Sequence, residues 1–112
     1  VVVAKAQPIQ FREWWPGVRM TRGVWNIPIP AEGEPLFPDI LLAPLVGFDT
    51  AGFRLGYGGG FYDRTLAAMP SKPQAIGVGF ELSRLDTIHS QPQDMRMDVI
   101  VTERHTARIS AG

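Results

Sequence analysis

An uninterrupted apolar run follows a single acid, where Asp39-Ile40-Leu41-Leu42-Ala43 is closed by Pro44. Such a run predicts a strand buried on both faces. Val1 to Ala4 predicts a second buried strand, Ala75 to Phe80 a third and Asp98 to Thr102 a fourth. Gly77 and Gly79 within the third permit close approach of neighbouring chain. Over Phe61 to Met69 the period changes: Tyr62, Leu66 and Met69 fall at i, i+4 and i+7. This predicts a helix with Arg64 and Thr65 facing elsewhere and Pro70-Ser71 as its end. Pro8 to Trp15, mixing aromatic and charged residues, reads as a short edge strand stopped by Pro16-Gly17. Val24 to Ile29 reads as extended, because Pro28 and Pro30 exclude the helical region for the residues before them. Ala31 to Pro38 is a polar surface loop, and Arg104 to Gly112 a fraying end. Strand, glycine loop, helix and strand outline a βαβ unit with a right-handed crossover. No repeat, low-complexity tract or linker divides the chain.

A length of 112 residues suits one domain spanning 1–112. Eleven basic side chains balance eleven acidic ones, so a large basic field for nucleic acid is not expected. No apolar run approaches the roughly 18 residues of a membrane span, and no signal-peptide pattern is present. Cysteine is absent, which excludes disulfides, thiolate catalysis and cysteine-ligated zinc, and fits a cytosolic protein. The chain opens at Val1 directly into an apolar run, which predicts a fragment whose missing part lies before residue 1.

The chemistry concentrates in Phe53-Arg54-Leu55-Gly56-Tyr57-Gly58-Gly59-Gly60-Phe61-Tyr62-Asp63-Arg64. Four glycines in five positions sit between a strand and a helix. Glycine backbone takes positive φ and turns its N–H groups toward one point. An anion there also meets the positive end of the helix dipole. Arg54 or Arg64 adds charge-assisted hydrogen bonds to such a phosphate cradle. The alternative is a structural turn that lets the chain pass close to the sheet. No Gly-Lys-Ser/Thr follows, so the loop is not a Walker A, and its spacing differs from a dinucleotide-fold turn. Asp63 in the first helical turn either complements the dipole or holds Mg²⁺, which takes one or two carboxylates plus phosphate oxygens. Asp94 or Asp98 would supply a second carboxylate.

The stretch Arg54 to Asp63 closely resembles the signature of the 5-formyltetrahydrofolate cyclo-ligase family, also called methenyltetrahydrofolate synthetases. Trp25-Asn26-Ile27-Pro28, Pro38 to Pro44, Gly47-Phe48-Asp49, Asp94, Asp98 and Thr102-Glu103 resemble other family segments in the same order. The resemblance covers residues 1 to 104. It implies a three-layer α/β sandwich with a mostly parallel sheet, of the ribose-isomerase and CoA-transferase-like type. This chain would be the C-terminal portion of such a domain. It also implies a ligase that uses ATP and Mg²⁺ to convert 5-formyltetrahydrofolate into 5,10-methenyltetrahydrofolate through a phosphorylated formyl group.

Carried onto this chain, the resemblance sets Arg54, Leu55, Gly56, Tyr57, Gly58, Gly59, Gly60, Phe61 and Tyr62 along the ATP phosphates. Tyr57, Gly58, Gly59, Gly60 and Phe61 would also approach the folate, and Asp63 and Asp94 would hold Mg²⁺. Trp25 is either a wall for the pterin or a partly buried core tryptophan. Two positions depart from the family pattern: Gln93 where His or Trp is common, and Gly59 where Lys is common. The partners implied are small molecules, with neither nucleic acid nor membrane expected. A non-enzymatic nucleotide- or RNA-binding module and a sugar-phosphate enzyme are the alternatives. His89 and His105 read as surface residues. Trp14-Trp15 read as core or lid aromatics in preference to a stacking surface for bases.

Overall fold

A computed structural model describes residues 1–56, 60–92 and 94–109. In chain order the strands are β1 (Phe11–Arg12), β2 (Met20–Arg22), β3 (Pro28–Pro30), β4 (Pro35–Leu36), β5 (Ile40–Pro44), β6 (Gly47–Phe48) and β7 (Arg54–Leu55). Helix α1 (Phe61–Ala68) follows, then β8 (Gln74–Val78), β9 (Val99–Val101) and β10 (Thr106–Arg108). The main sheet has the order β10-β9-β8-β5, with β5, β8 and β9 parallel and β10 antiparallel. The fold is therefore α/β with a mixed sheet. Three two-stranded antiparallel ribbons, β1–β4, β2–β3 and β6–β7, surround it.

Parallel neighbours cannot be joined by a tight turn. The connection from β5 to β8 therefore carries the β6–β7 hairpin, the glycine segment and α1 before the chain re-enters the sheet. Leu41 and Ala43 of β5, Ala75 of β8 and Ile100 of β9 form a core with Leu45, Phe48, Leu66 and Met97. Phe11, Tyr62 and Met95 pack on its margin. Gly77 is required by contact: a Cβ there would stand 2.9 Å from Leu45 Cδ2 and 3.1 Å from Met97 Cγ.

Several sequence expectations are corrected. β5 alternates exposed and buried positions, so its run is buried on one face only, with Leu42 62% exposed. Ile40, Leu42 and Val78 lie on the face turned from the core, while Leu41, Ala43 and Ala75 fill the other. Val1 to Ala4 is not a buried strand; Val2 makes a lone bridge to Ile9, and Val3 is exposed. Val24–Asn26 forms a 3-10 turn in place of extended chain, with Trp25 and Asn26 at positive φ. Proline restricts only its immediate predecessor, and Ile27 before Pro28 is indeed extended.

Thr65 points inward and is 1% exposed. Its hydroxyl accepts the Ile9 N–H at 2.8 Å and donates to the Phe61 carbonyl, so a polar residue in a helix serves as an interior cross-link. Arg104 to Ile109 does not fray: β10 pairs with β9, and Ile109 N–H donates to the Asp98 carbonyl at 2.8 Å. Trp14 and Trp15 are exposed and take no part in the core. No helix among the described residues is long and apolar enough to cross a membrane.

The Gly77 contact generates a stability prediction. Gly77→Val forces a branched side chain into Leu45 and Met97 and should cost about 1–3 kcal/mol. Urea denaturation checks this; an unchanged midpoint would mean that Leu45 yields freely.

Candidate functional site

The C-terminal end of β5, strand β7 and the start of α1 converge on one open cleft of about 680 Å³. Pro44, Arg54, Leu55, Gly56 and the first residues of α1 form one bank; Ile88, His89, Gln91 and Asp94 form the other. Clefts at the C-terminal ends of parallel strands are where open α/β sheets bind ligands.

Arg54 ties the first bank together. Its Nε donates to the Pro44 carbonyl at 3.1 Å, and a second guanidinium N–H reaches the same oxygen. The guanidinium carbon stands 4.9 Å from the centroid of the Tyr62 ring. Gly56 lies so close beneath that a Cβ would sit 2.6 Å from Arg54 Nη2. Burial pulls the Arg54 pKa below its ordinary value, opposed by Asp63 and Tyr62. The side chain remains a cation, since guanidinium does not deprotonate in proteins.

Gly60 is the N-cap of α1 and adopts a left-handed conformation, φ 66° and ψ 16°. Having no side chain, it leaves the free N–H groups of the first turn uncapped by its own residue. Arg64 lies over the Phe61 ring at 5.8 Å and also lines the cleft. Tyr57, Gly58 and Gly59, the centre of the expected phosphate cradle, lie outside the described residues, as does Gln93.

Asp63 and Asp94 meet across the cleft although 31 residues separate them in sequence. Asp63 Oδ1 accepts the Met95 N–H at 3.0 Å, which fastens the first turn of α1 to the second bank. Asp94 Oδ2 accepts the Gln91 N–H at 2.8 Å, closing a turn that sets its own direction. Burial raises the Asp63 pKa most; the Met95 hydrogen bond opposes this, Asp94 adds to it, and Arg54 opposes. For Asp63, burial and the neighbouring acid outweigh the positive charge of Arg54 and the Met95 N–H. Two carboxylates lining the cleft are a donor set that would suit Mg²⁺, which completes its shell with phosphate oxygens and water. Among the described residues no group of three or more acids, histidines or cysteines that could hold a metal gathers, in this cleft or outside it. Asp98 is not part of this pair: its Oδ2 accepts the Ala75 N–H at 2.8 Å and anchors the start of β8.

Trp25 stands beside α1, its ring 5.8 Å from that of Phe61 and nearly perpendicular to it at 82°. It is 59% exposed, which rules out the core-tryptophan reading. Its φ of 56° is unusual for a bulky residue and directs the chain around the helix mouth. His89 is exposed, as expected, but belongs to the second bank, a placement that sequence spacing does not signal. Ile88 and Gln91 were equally silent; only Asp94 nearby marks that segment. His105 lies outside this cleft.

The 5-formyltetrahydrofolate cyclo-ligase family model matches residues 3–103. A 5-formyltetrahydrofolate cyclo-ligase of Mycolicibacterium smegmatis is 36% identical over 104 residues, covering 87% of this chain and 52% of that protein. The Escherichia coli K12 cyclo-ligase is 40% identical over 65 residues, covering 57% of this chain and 36% of that protein. Among solved structures, the 5,10-methenyltetrahydrofolate synthetase of Aquifex aeolicus superimposes with a TM-score of 0.75 at 31% identity, covering 94% of this chain and 55% of that one. That of Mycoplasma pneumoniae gives 0.56 at 35% identity, covering 66% and 46%. The chain thus spans about half the length of the relatives it matches most fully. With its glycine signature entering α1 and its sheet matching these structures, the chain belongs to the 5-formyltetrahydrofolate cyclo-ligase family.

Proposed function

We propose that the protein carrying this chain cyclises 5-formyltetrahydrofolate to 5,10-methenyltetrahydrofolate, converting ATP to ADP and phosphate. The observation that carries this reading is the meeting of Arg54, the first turn of α1 and the Asp63–Asp94 pair in one cleft. Membership of the family supplies the reaction class. The activity is assigned to the whole protein and not to these 112 residues alone.

In the proposed reaction the formyl oxygen attacks the γ-phosphorus of ATP, and ADP leaves. Carbon then carries a phosphorylated oxygen, a good leaving group. The folate N10 attacks that carbon, loses its proton, and phosphate departs as the ring closes. Phosphoryl transfer of this kind asks the protein for positioning and charge neutralisation. Backbone N–H groups from Gly56 to Tyr62 would line the ATP phosphates, with Arg54 bracing the loop that presents them. The same loop from Tyr57 to Phe61, with Trp25 beside Phe61, would form the folate side. Exposed aromatic faces suit a flat heterocycle. Asp63 and Asp94 would hold Mg²⁺, which when bound supplies positive charge to the phosphate oxygens.

Turnover of 5-formyltetrahydrofolate by the full protein, followed by methenyl absorbance, should require both ATP and Mg²⁺. Asp63→Ala should lower it by about 10²–10³-fold. Nucleotide binding without methenyl product in the wild-type protein would favour a binding module over an enzyme.

The Asp63 environment also predicts a pH dependence. Its folded-state pKa is raised, so the folded protein holds that proton more tightly than the unfolded chain. Its stabilising contribution is full below the ordinary carboxylate value and is lost as pH rises through the raised one. Asp63→Asn keeps the amide oxygen that accepts from Met95 but cannot ionise. In chelator, wild type should therefore lose thermal stability relative to this variant as pH rises across that window. Parallel melting curves at every pH would show that Asp63 is not strained by its surroundings.

A further inference from the structure

We infer that Asp49 is a positioning residue that fixes the spacing between the two banks of the cleft. The inference rests on the proposed nucleotide site but concerns a residue outside it. Asp49 is 5% exposed, directly follows β6 and does not line the cleft. Its carboxylate accepts three backbone N–H groups from two separate segments. Oδ1 takes Ala51 and Phe53, each at 3.1 Å, and Oδ2 takes Ile88 at 3.3 Å.

The two oxygens do different jobs. The Oδ1 bonds shape the turn between β6 and β7, a local task that any Asx turn performs. Phe53 lies next to Arg54, so this turn delivers Arg54 to the first bank. The Oδ2 bond reaches 39 residues along the chain to Ile88, beside His89 on the second bank. Backbone contacts flank the same junction. Leu85 N–H donates to the Phe48 carbonyl at 2.8 Å, and Met97 N–H to the Gly52 carbonyl at 2.8 Å. Gly52 itself must be glycine: its φ is +92°, and a Cβ would stand 2.7 Å from Ile109. One buried carboxylate thus joins the strand that enters the glycine loop to the segment that carries Asp94.

A turn alone needs only Oδ1, and asparagine would serve. The bank-to-bank bond needs an acceptor at Oδ2, where an asparagine amide would set N–H against N–H. Asp49→Asn therefore separates the two roles. In the full protein it should raise KM for Mg·ATP about tenfold while kcat changes less than twofold. A merely structural role would reduce the folded fraction, lowering apparent kcat with KM unmoved. Amide hydrogen exchange at Ile88 supplies a readout that does not depend on catalysis. It should accelerate at least tenfold in Asp49→Asn, with the Ala51 amide little changed. If the wild-type protein shows no ATP-dependent turnover, the proposed function fails, and Ile88 exchange alone decides the role of Asp49. Unchanged KM in an active enzyme, or unchanged Ile88 exchange, overturns the inference.

Discussion

The parallel pairing of β5 with β8 is the constraint from which the rest of the molecule follows. Five consecutive residue pairs, Ile40 with Gln74 through Pro44 with Val78, fix the register. Two strands running the same way oblige the chain to travel back along the sheet between them. That return path contains every element of the first bank: the β6–β7 hairpin, Arg54, the glycine segment and α1. Arg54 in turn grips the carbonyl of Pro44, the last residue of β5. The cleft consequently sits where β5 ends, with Pro44 as the main sheet's contribution to its lining.

Much of this was legible in the sequence because the relevant signals are local. Tyr62, Leu66 and the glycines before Phe61 announce a helix and its entrance, and α1 runs from Phe61 to Ala68. Gly77 within β8 and Gly79 just past it announce tight packing, which Leu45 supplies at both and Met97 at Gly77. The α/β class follows from the order of strand, glycine loop, helix and strand, whereas the choice of Asp94 over Asp98 as partner of Asp63 came from the family resemblance; the two acids now line one cleft. What escaped the sequence depends on long-range partners. Apolarity of Ile40 to Leu42 cannot tell which residues face the core; only the register with β8 does so. Thr65 looks like a solvent-facing helix residue until Ile9 arrives from 56 positions away to donate to it. The turn at Trp25 has no apolar periodicity to betray it, and the residues Ile88, His89 and Gln91 gain their place only through Asp49 and Asp94.

Carboxylates are used here in two opposite ways. Asp49, Asp98 and one oxygen of Asp63 are spent on backbone N–H groups, where they act as staples between distant segments. Such charge-assisted bonds are short-range and directional, so they define geometry where the chain offers few regular strands. Asp63 and Asp94 are both held in place by such bonds, yet burial and the neighbouring acid still work against ionisation of Asp63, with the Met95 N–H and Arg54 opposing them.

The place of Trp25 beside Phe61 gives the start of α1 an optical property. All three tryptophans, Trp14, Trp15 and Trp25, are exposed, so their emission should report water-like surroundings. Only Trp25 adjoins the mouth of α1, edge-on to Phe61. A flat aromatic ring settling against that mouth would exclude water from one indole and leave the other two unaltered. Blue-shifted or quenched intrinsic fluorescence would then report a ring bound there, the proposed place of the folate, without any label.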